Sequence, residues 1–199
     1  VWNLDCIEEL VNHYAENLGE GEGNFLTKLE VQLSKASAQA KILASEMLWL
    51  MFLCPSNIKA NSKRETISTV MSWSGNSVNA EVESRYLSDE VLAGIGSAGV
   101  GYNTLRWREL LYFIKLAKEL LKLEQGERQS LLADHNQFSL WLERIPENEQ
   151  RQLRHMLLYL LFPEQHERIF GNSDRRAIIA KIDNIKPSQY NKLKAREVD

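Results

Sequence analysis

Cysteine is almost missing from this chain of 199 residues: Cys6 and Cys54 are the only two. Cys54 lies inside an apolar run, where a thiol packs as a small hydrophobe. A disulfide framework and a thiolate zinc site are therefore not what organises the fold, and a reducing cytoplasm is the expected location. Long apolar runs are also missing. The longest are about half the roughly 18–20 residues that a membrane span needs, so they read as buried helices and no membrane partner is expected. No basic segment followed by an apolar stretch opens the chain, which argues against a secretory signal. The chain begins without Met, and the expectation is a fragment of a longer protein.

The signatures of common chemistry are absent too. There is no G-x-x-x-x-G-K sequence followed by Ser or Thr, so the chain cannot be the hydrolytic core of a P-loop enzyme. His13, His135, His155 and His166 form no H-x-x-x-H pair and have no cysteine at ligand spacing. They read as surface or cap histidines, and no metal or cofactor is expected. No serine sits in a G-x-S-x-G elbow. Neighbouring carboxylates such as Glu8 and Glu9 lie in an exposed acidic helix, without the burial that tunes a general acid or base. Hence no catalytic residue is assigned. No segment alternates apolar and polar residues for long enough to make a strand.

What remains is an all-α pattern, a compact multi-helix bundle over 1–186 followed by a charged linker, 187–199. Leu4, Ile7, Leu10, Val11 and Tyr14 share one helical face, and Phe25, Leu26, Leu29 and Leu33 another. The segment from Ser37 to Leu53 is apolar all round in its second half and should be central. Asn76 to Ser84 reads as irregular, and Gly94 to Gly101 as a loop. Thr104 is the expected N-cap of the longest helix, and Pro146 is expected in the first turn of a helix reaching Phe162.

One phrase occurs twice, I-x-x-N-S-x-R-x-x-I, at Ile58–Ile67 and again at Ile169–Ile178. Each copy follows an apolar run closed by a proline, Pro55 or Pro163. Ser62 and Ser173 are the expected N-caps, with Glu65 completing a capping box for the first. Two readings stand. One is an internal duplication with halves 1–75 and 102–186; the other is recurrence of common cap chemistry.

Two clusters are candidate sites. Gly94-x-Gly96-x-x-Gly99 has the letters of a dinucleotide-binding loop, yet no strand precedes it, and a hinge or turn is the simpler reading. Tyr102, Arg106, Trp107 and Arg108 combine guanidinium groups with flat aromatic faces, the chemistry of phosphate contact and base stacking. Against this, a tryptophan in a domain of this size is usually anchored in the core, so exposure of Trp107 separates the two readings. Arg168, Arg175 and Arg176 form a second basic group. Net charge is -3, which argues against indiscriminate binding to nucleic acid.

Several phrases together resemble one family. They include Glu20-Gly-Glu-Gly23-Asn-Phe25, Glu46-Met-Leu-Trp49-Leu, Pro55-Ser-Asn57-Ile58 and Trp73-Ser-Gly75. They continue with Gly94-Ile-Gly96-Ser, Tyr102 through Leu110, Arg154 through Pro163, and Glu167-Arg168-Ile169. In order and over almost the whole chain, they are similar to the amino-terminal region of bacterial McrB-type AAA+ proteins, relatives of the motor of methylcytosine-dependent restriction systems. The resemblance implies that an ATP- or GTP-hydrolysing domain with Mg lies downstream, and that oligomerisation comes through that motor. A separate nuclease subunit would be a partner. It implies a non-catalytic targeting domain in restriction or phage defence, engaging DNA through Tyr102, Arg106, Trp107, Arg108, Arg168, Arg175 and Arg176. The alternative is a protein-interaction or assembly module that docks or regulates the motor.

Overall fold

The computed structural model describes residues 1–18, 23–182, 184–190 and 192. Asn3 opens the first helix, α1 (Leu4–Leu10), by accepting the Cys6 backbone N–H on its side chain at 2.9 Å. A π-helical turn, Val11–Ala15, continues it directly. Asn24 caps α2 (Phe25–Leu33), and Ser37 caps α3 (Ala38–Leu53). Each cap supplies an oxygen to a backbone donor that lacks a partner within its own helix.

As its composition predicts, α3 is central. Ala40, Leu43, Met47, Leu48, Met51 and Phe52 are all completely buried. It packs against α1, against α4 (Ala60–Ser72) and, across the bundle, against a later long helix, Arg106–Leu121. Between these lie α5 (Ala80–Tyr86), α6 (Asp89–Leu92) and α7 (Gly99–Thr104), and the long helix is therefore α8. Then come α9 (Gln125–Ala133), α10 (His135–Leu142), α11 (Gln152–Leu161), α12 (Asn172–Ile182) and the short α13 (Pro187–Tyr190). The fold is all-α, a compact multi-helix bundle. Among the described residues the sole β-type pairing is an isolated bridge between Pro55 and Gly96. No helix among them is long and apolar enough to cross a membrane.

Several boundaries differ from the sequence reading. Ser62 and Ser173 lie inside α4 and α12, not at their caps. Lys59 occupies the cap position of α4, and Asn61 donates to Glu65 at 2.8 Å within the helix. Thr104 ends α7 instead of starting α8, and its hydroxyl turns back to the Val100 and Gly101 carbonyls. The stretch from Asn76 to Ser84 is helical from Ala80, because Asn79 caps α5 through the Val82 N–H. Pro146 sits ahead of a 3-10 turn, Asn148–Gln150, and α11 starts only at Gln152. The two copies of the repeated phrase meet different surroundings. Ile67 is buried, whereas Ile178 is exposed. Arg64 reaches Asp89 and the Leu87 carbonyl, whereas Arg175 returns to the Ile169 carbonyl at 2.5 Å.

The glycine loop has a packing role. Ile95 and Gly96 donate to the Cys54 carbonyl at 2.8 and 3.1 Å, which ties the loop to the end of α3. A Cβ on Gly94 would lie 2.5 Å from Pro55 backbone, and one on Gly96 would lie 2.7 Å from the Arg168 carbonyl. These glycines let three stretches of backbone meet closely.

Candidate nucleic-acid interface

The π-helical turn, α2 and the start of α8 converge on one cleft. Tyr14 stands on the π-helical turn and donates its hydroxyl to the Trp107 carbonyl at 3.0 Å. From α2, Phe25 and Lys28 reach the cleft on adjacent turns, and Gln32 follows four residues later on the same helical face. Thr104 and Trp107 close the other side. The cavity is about 490 Å³, within the range of ligand clefts.

Its walls are chemically mixed. Trp107 is 37% exposed, so the indole is not wholly anchored in the core. The Arg108 guanidinium lies 5.0 Å from the indole centroid, a cation–π distance. Gln32 is buried; its amide nitrogen donates to the Asn17 carbonyl at 2.7 Å, while its oxygen has no hydrogen-bond partner. A buried acceptor without a donor costs free energy.

The seven residues expected to bind nucleic acid do not form one surface. Tyr102 is completely buried, and its hydroxyl donates to the Met51 carbonyl at 2.8 Å. Burial pushes that phenol well above its ordinary range. Tyr102 therefore cannot stack on a base, and its role is to pin α7 onto α3. Arg175 is also buried, spent on the Ile169 carbonyl. Arg106 is half-buried, with its guanidinium 4.9 Å from the Phe52 ring and 5.5 Å from the Phe25 ring, and it donates to Asn103. Burial lowers its pKa. Trp107, Arg108, Arg168 and Arg176 remain exposed. Arg168 lies in the segment before α12, and Arg176 on α12 itself.

This chain matches no protein-family model, no curated protein and no solved structure. Its chemistry therefore has to be read from its own side chains.

Sequence reasoning missed Lys28 and Gln32. Their i, i+4 spacing placed them together, but nothing in the sequence aimed that face of α2 at Trp107. It also missed a buried polar core. Glu109 is buried at the start of α8 and accepts the Leu153 and Gln152 backbone N–H groups at 3.0 and 3.4 Å, which caps α11. Arg151 lies 3.8 Å from the same carboxylate. Arg154, completely buried, donates to Asn148 at 2.9 Å. His155 and His166 are buried as well, contrary to the expected surface or cap positions. His166 packs its ring 5.8 Å from His135 and 6.5 Å from Phe162. Among the described residues no group of three or more His, Cys, Asp or Glu could hold a metal ion.

Proposed function

We propose that this chain is a non-catalytic recognition module, the amino-terminal region of a McrB-type AAA+ restriction or defence protein in the bacterial cytoplasm. In this reading it engages nucleic acid at the Trp107 cleft. Nucleotide hydrolysis belongs to a downstream domain, and cutting to a nuclease partner.

The observation that carries the reading is the half-exposed Trp107 indole, with Arg108 over its ring, at the edge of a cleft that also holds Lys28. An indole face suits base stacking, and the two cations suit the phosphates on either side. Tyr102 and Arg175 no longer belong to the proposed site. Arg106 supports it from below by resting on Phe25 and Phe52.

The test is a salt-titrated binding series against plain and modified DNA. Affinity should fall steeply between about 50 and 200 mM salt. Trp107→Ala should weaken binding by roughly 1–3 kcal/mol. Lys28→Ala should lower the salt slope by about one. If no DNA binds, or if binding ignores salt, the nucleic-acid reading fails.

A further inference from the structure

A second cleft, about 400 Å³ in volume, shares no residue with the Trp107 site. Its principal walls are Trp2 near the start of the chain, Glu46 and Trp49 on α3, Met71 on α4, and Val82 and Tyr86 on α5. Trp2 is 38% and Tyr86 41% exposed. The Trp49 and Tyr86 rings stand edge to face, 6.0 Å apart and 87° to each other. Trp49 donates its indole N–H to the Tyr86 carbonyl at 2.8 Å, which fixes the corner. Trp2 backs onto Phe113 at 5.9 Å and donates to one Glu46 oxygen at 2.6 Å.

Glu46 is the single carboxylate of a largely apolar lining, in which the Ser45 hydroxyl is spent on the Ile67 carbonyl at 2.9 Å. No basic side chain lines the cleft, and among the described residues none pairs with Glu46. Covering the cleft with a neutral apolar group would strip water from an uncompensated charge, which is unfavourable. An occupant that brings a cation removes that cost, and aromatic faces attract cations independently. Tyr86 already shows this chemistry, with the Arg85 guanidinium 5.3 Å from its ring centroid.

We propose that this cleft docks a basic side chain of a partner polypeptide, an arginine flanked by apolar residues. The head group meets Glu46, the indoles of Trp2 and Trp49 border it, and the flanking apolar side chains cover Met71 and Val82. The site is independent of nucleic-acid binding.

The test is calorimetric titration of the full chain with the capped peptide Ala-Leu-Arg-Leu-Ala. The control is the same peptide with citrulline, the uncharged isostere of arginine. The arginine peptide should bind roughly ten-fold tighter or more, as a charge-assisted contact requires. Glu46→Gln should narrow the gap between the two peptides to the few-fold preference that the aromatic faces alone supply. Trp2→Leu, at an exposed position, should weaken the arginine peptide, with the helical circular dichroism unchanged. Equal affinity of the two peptides for the unmodified chain would refute cation recognition and leave only an apolar groove. Binding of neither peptide would remove the site.

Discussion

Lys63 carries an amine into the core, where it is completely buried and donates to the Leu92 carbonyl at 2.6 Å. Burial pulls its pKa down to about 8 from 10.5. Between those two values the folded chain holds fewer protons than the unfolded chain, so this residue makes stability rise with pH. The penalty is largest below about pH 8, at up to ~3 kcal/mol, and it vanishes above the unfolded value. Lys63→Met keeps the length and removes the charge. The variant should gain most over the wild type at pH 7 and lose that advantage by about pH 10.5, read as urea midpoints at matched pH. A difference that does not change with pH would show that Lys63 keeps its ordinary pKa in the fold, its ammonium charged as in the unfolded chain. Glu109 is a second buried charge. Burial raises its pKa, opposed by the Leu153 N–H, by Arg151 and by the Gln152 N–H. Glu109→Ala removes the cap of α11 and leaves Arg151 facing a void, so a loss of about 3–5 kcal/mol is expected in denaturant unfolding. A loss under about 0.5 kcal/mol would mean that water or Glu147 replaces it.

At the scale of elements, the glycine loop decides how α3 meets the segment before α12. Gly94 has φ of +81° and no space for a Cβ beside Pro55. Gly94→Ala combines left-handed strain with a backbone clash and should cost about 2–4 kcal/mol. Gly75 has nearly the same φ with nothing within 4 Å, so Gly75→Ala should cost only about 1 kcal/mol from strain. Thermal unfolding of the two variants separates packing from φ; similar losses would put the whole effect in the backbone angle. The reading of these letters as a turn was available from sequence because no strand precedes them. The partners of the loop were not, since Cys54 and Arg168 lie far away along the chain. The apolar stripes from Leu4 to Tyr14 and from Ser37 to Leu53 were legible as helices, whereas the caps Asn3 and Ser37 were first seen in the structure. The caps at Ser62, Ser173 and Thr104 were misplaced because each serine or threonine lies close to a helix end, and local pattern does not distinguish the cap from the first or last turn. The candidate site was legible at Trp107 and Arg108. It was misread at Tyr102 and Arg175, because a polar tip on a large side chain is compatible with both surface and core. The π-helical turn that holds Tyr14 has no local sequence signal, and Lys28 and Gln32 were invisible without it.

Over the whole molecule, the buried titratable groups set an alkaline limit on the fold. Burial pushes Cys54 up to about 12, raises Cys6, and raises Tyr14 and Tyr102 above the ordinary phenol range. Each is an acid that stays neutral in the core. In the unfolded chain the thiols ionise near 9 and the phenols near 10, so above those values the unfolded state binds fewer protons and stability falls with pH. Lys63 acts in the opposite direction between about 8 and 10.5 and then stops. The four acids come from different elements: α1, the π-helical turn, the end of α3 and α7. Their ionisation therefore strikes the bundle at several packed contacts at once. Stability should change little from pH 7 to about 9 and then fall with increasing slope above about 10, where the lysine no longer compensates. Urea midpoints by circular dichroism across pH 7 to 11 give the curve. Tyr14→Phe, which loses only the bond to the Trp107 carbonyl, should lower stability at pH 7 and flatten the alkaline slope. A midpoint that stays level through pH 11 would mean that these groups meet water in the folded chain, which would contradict the burial that places Tyr14 beneath the Trp107 cleft.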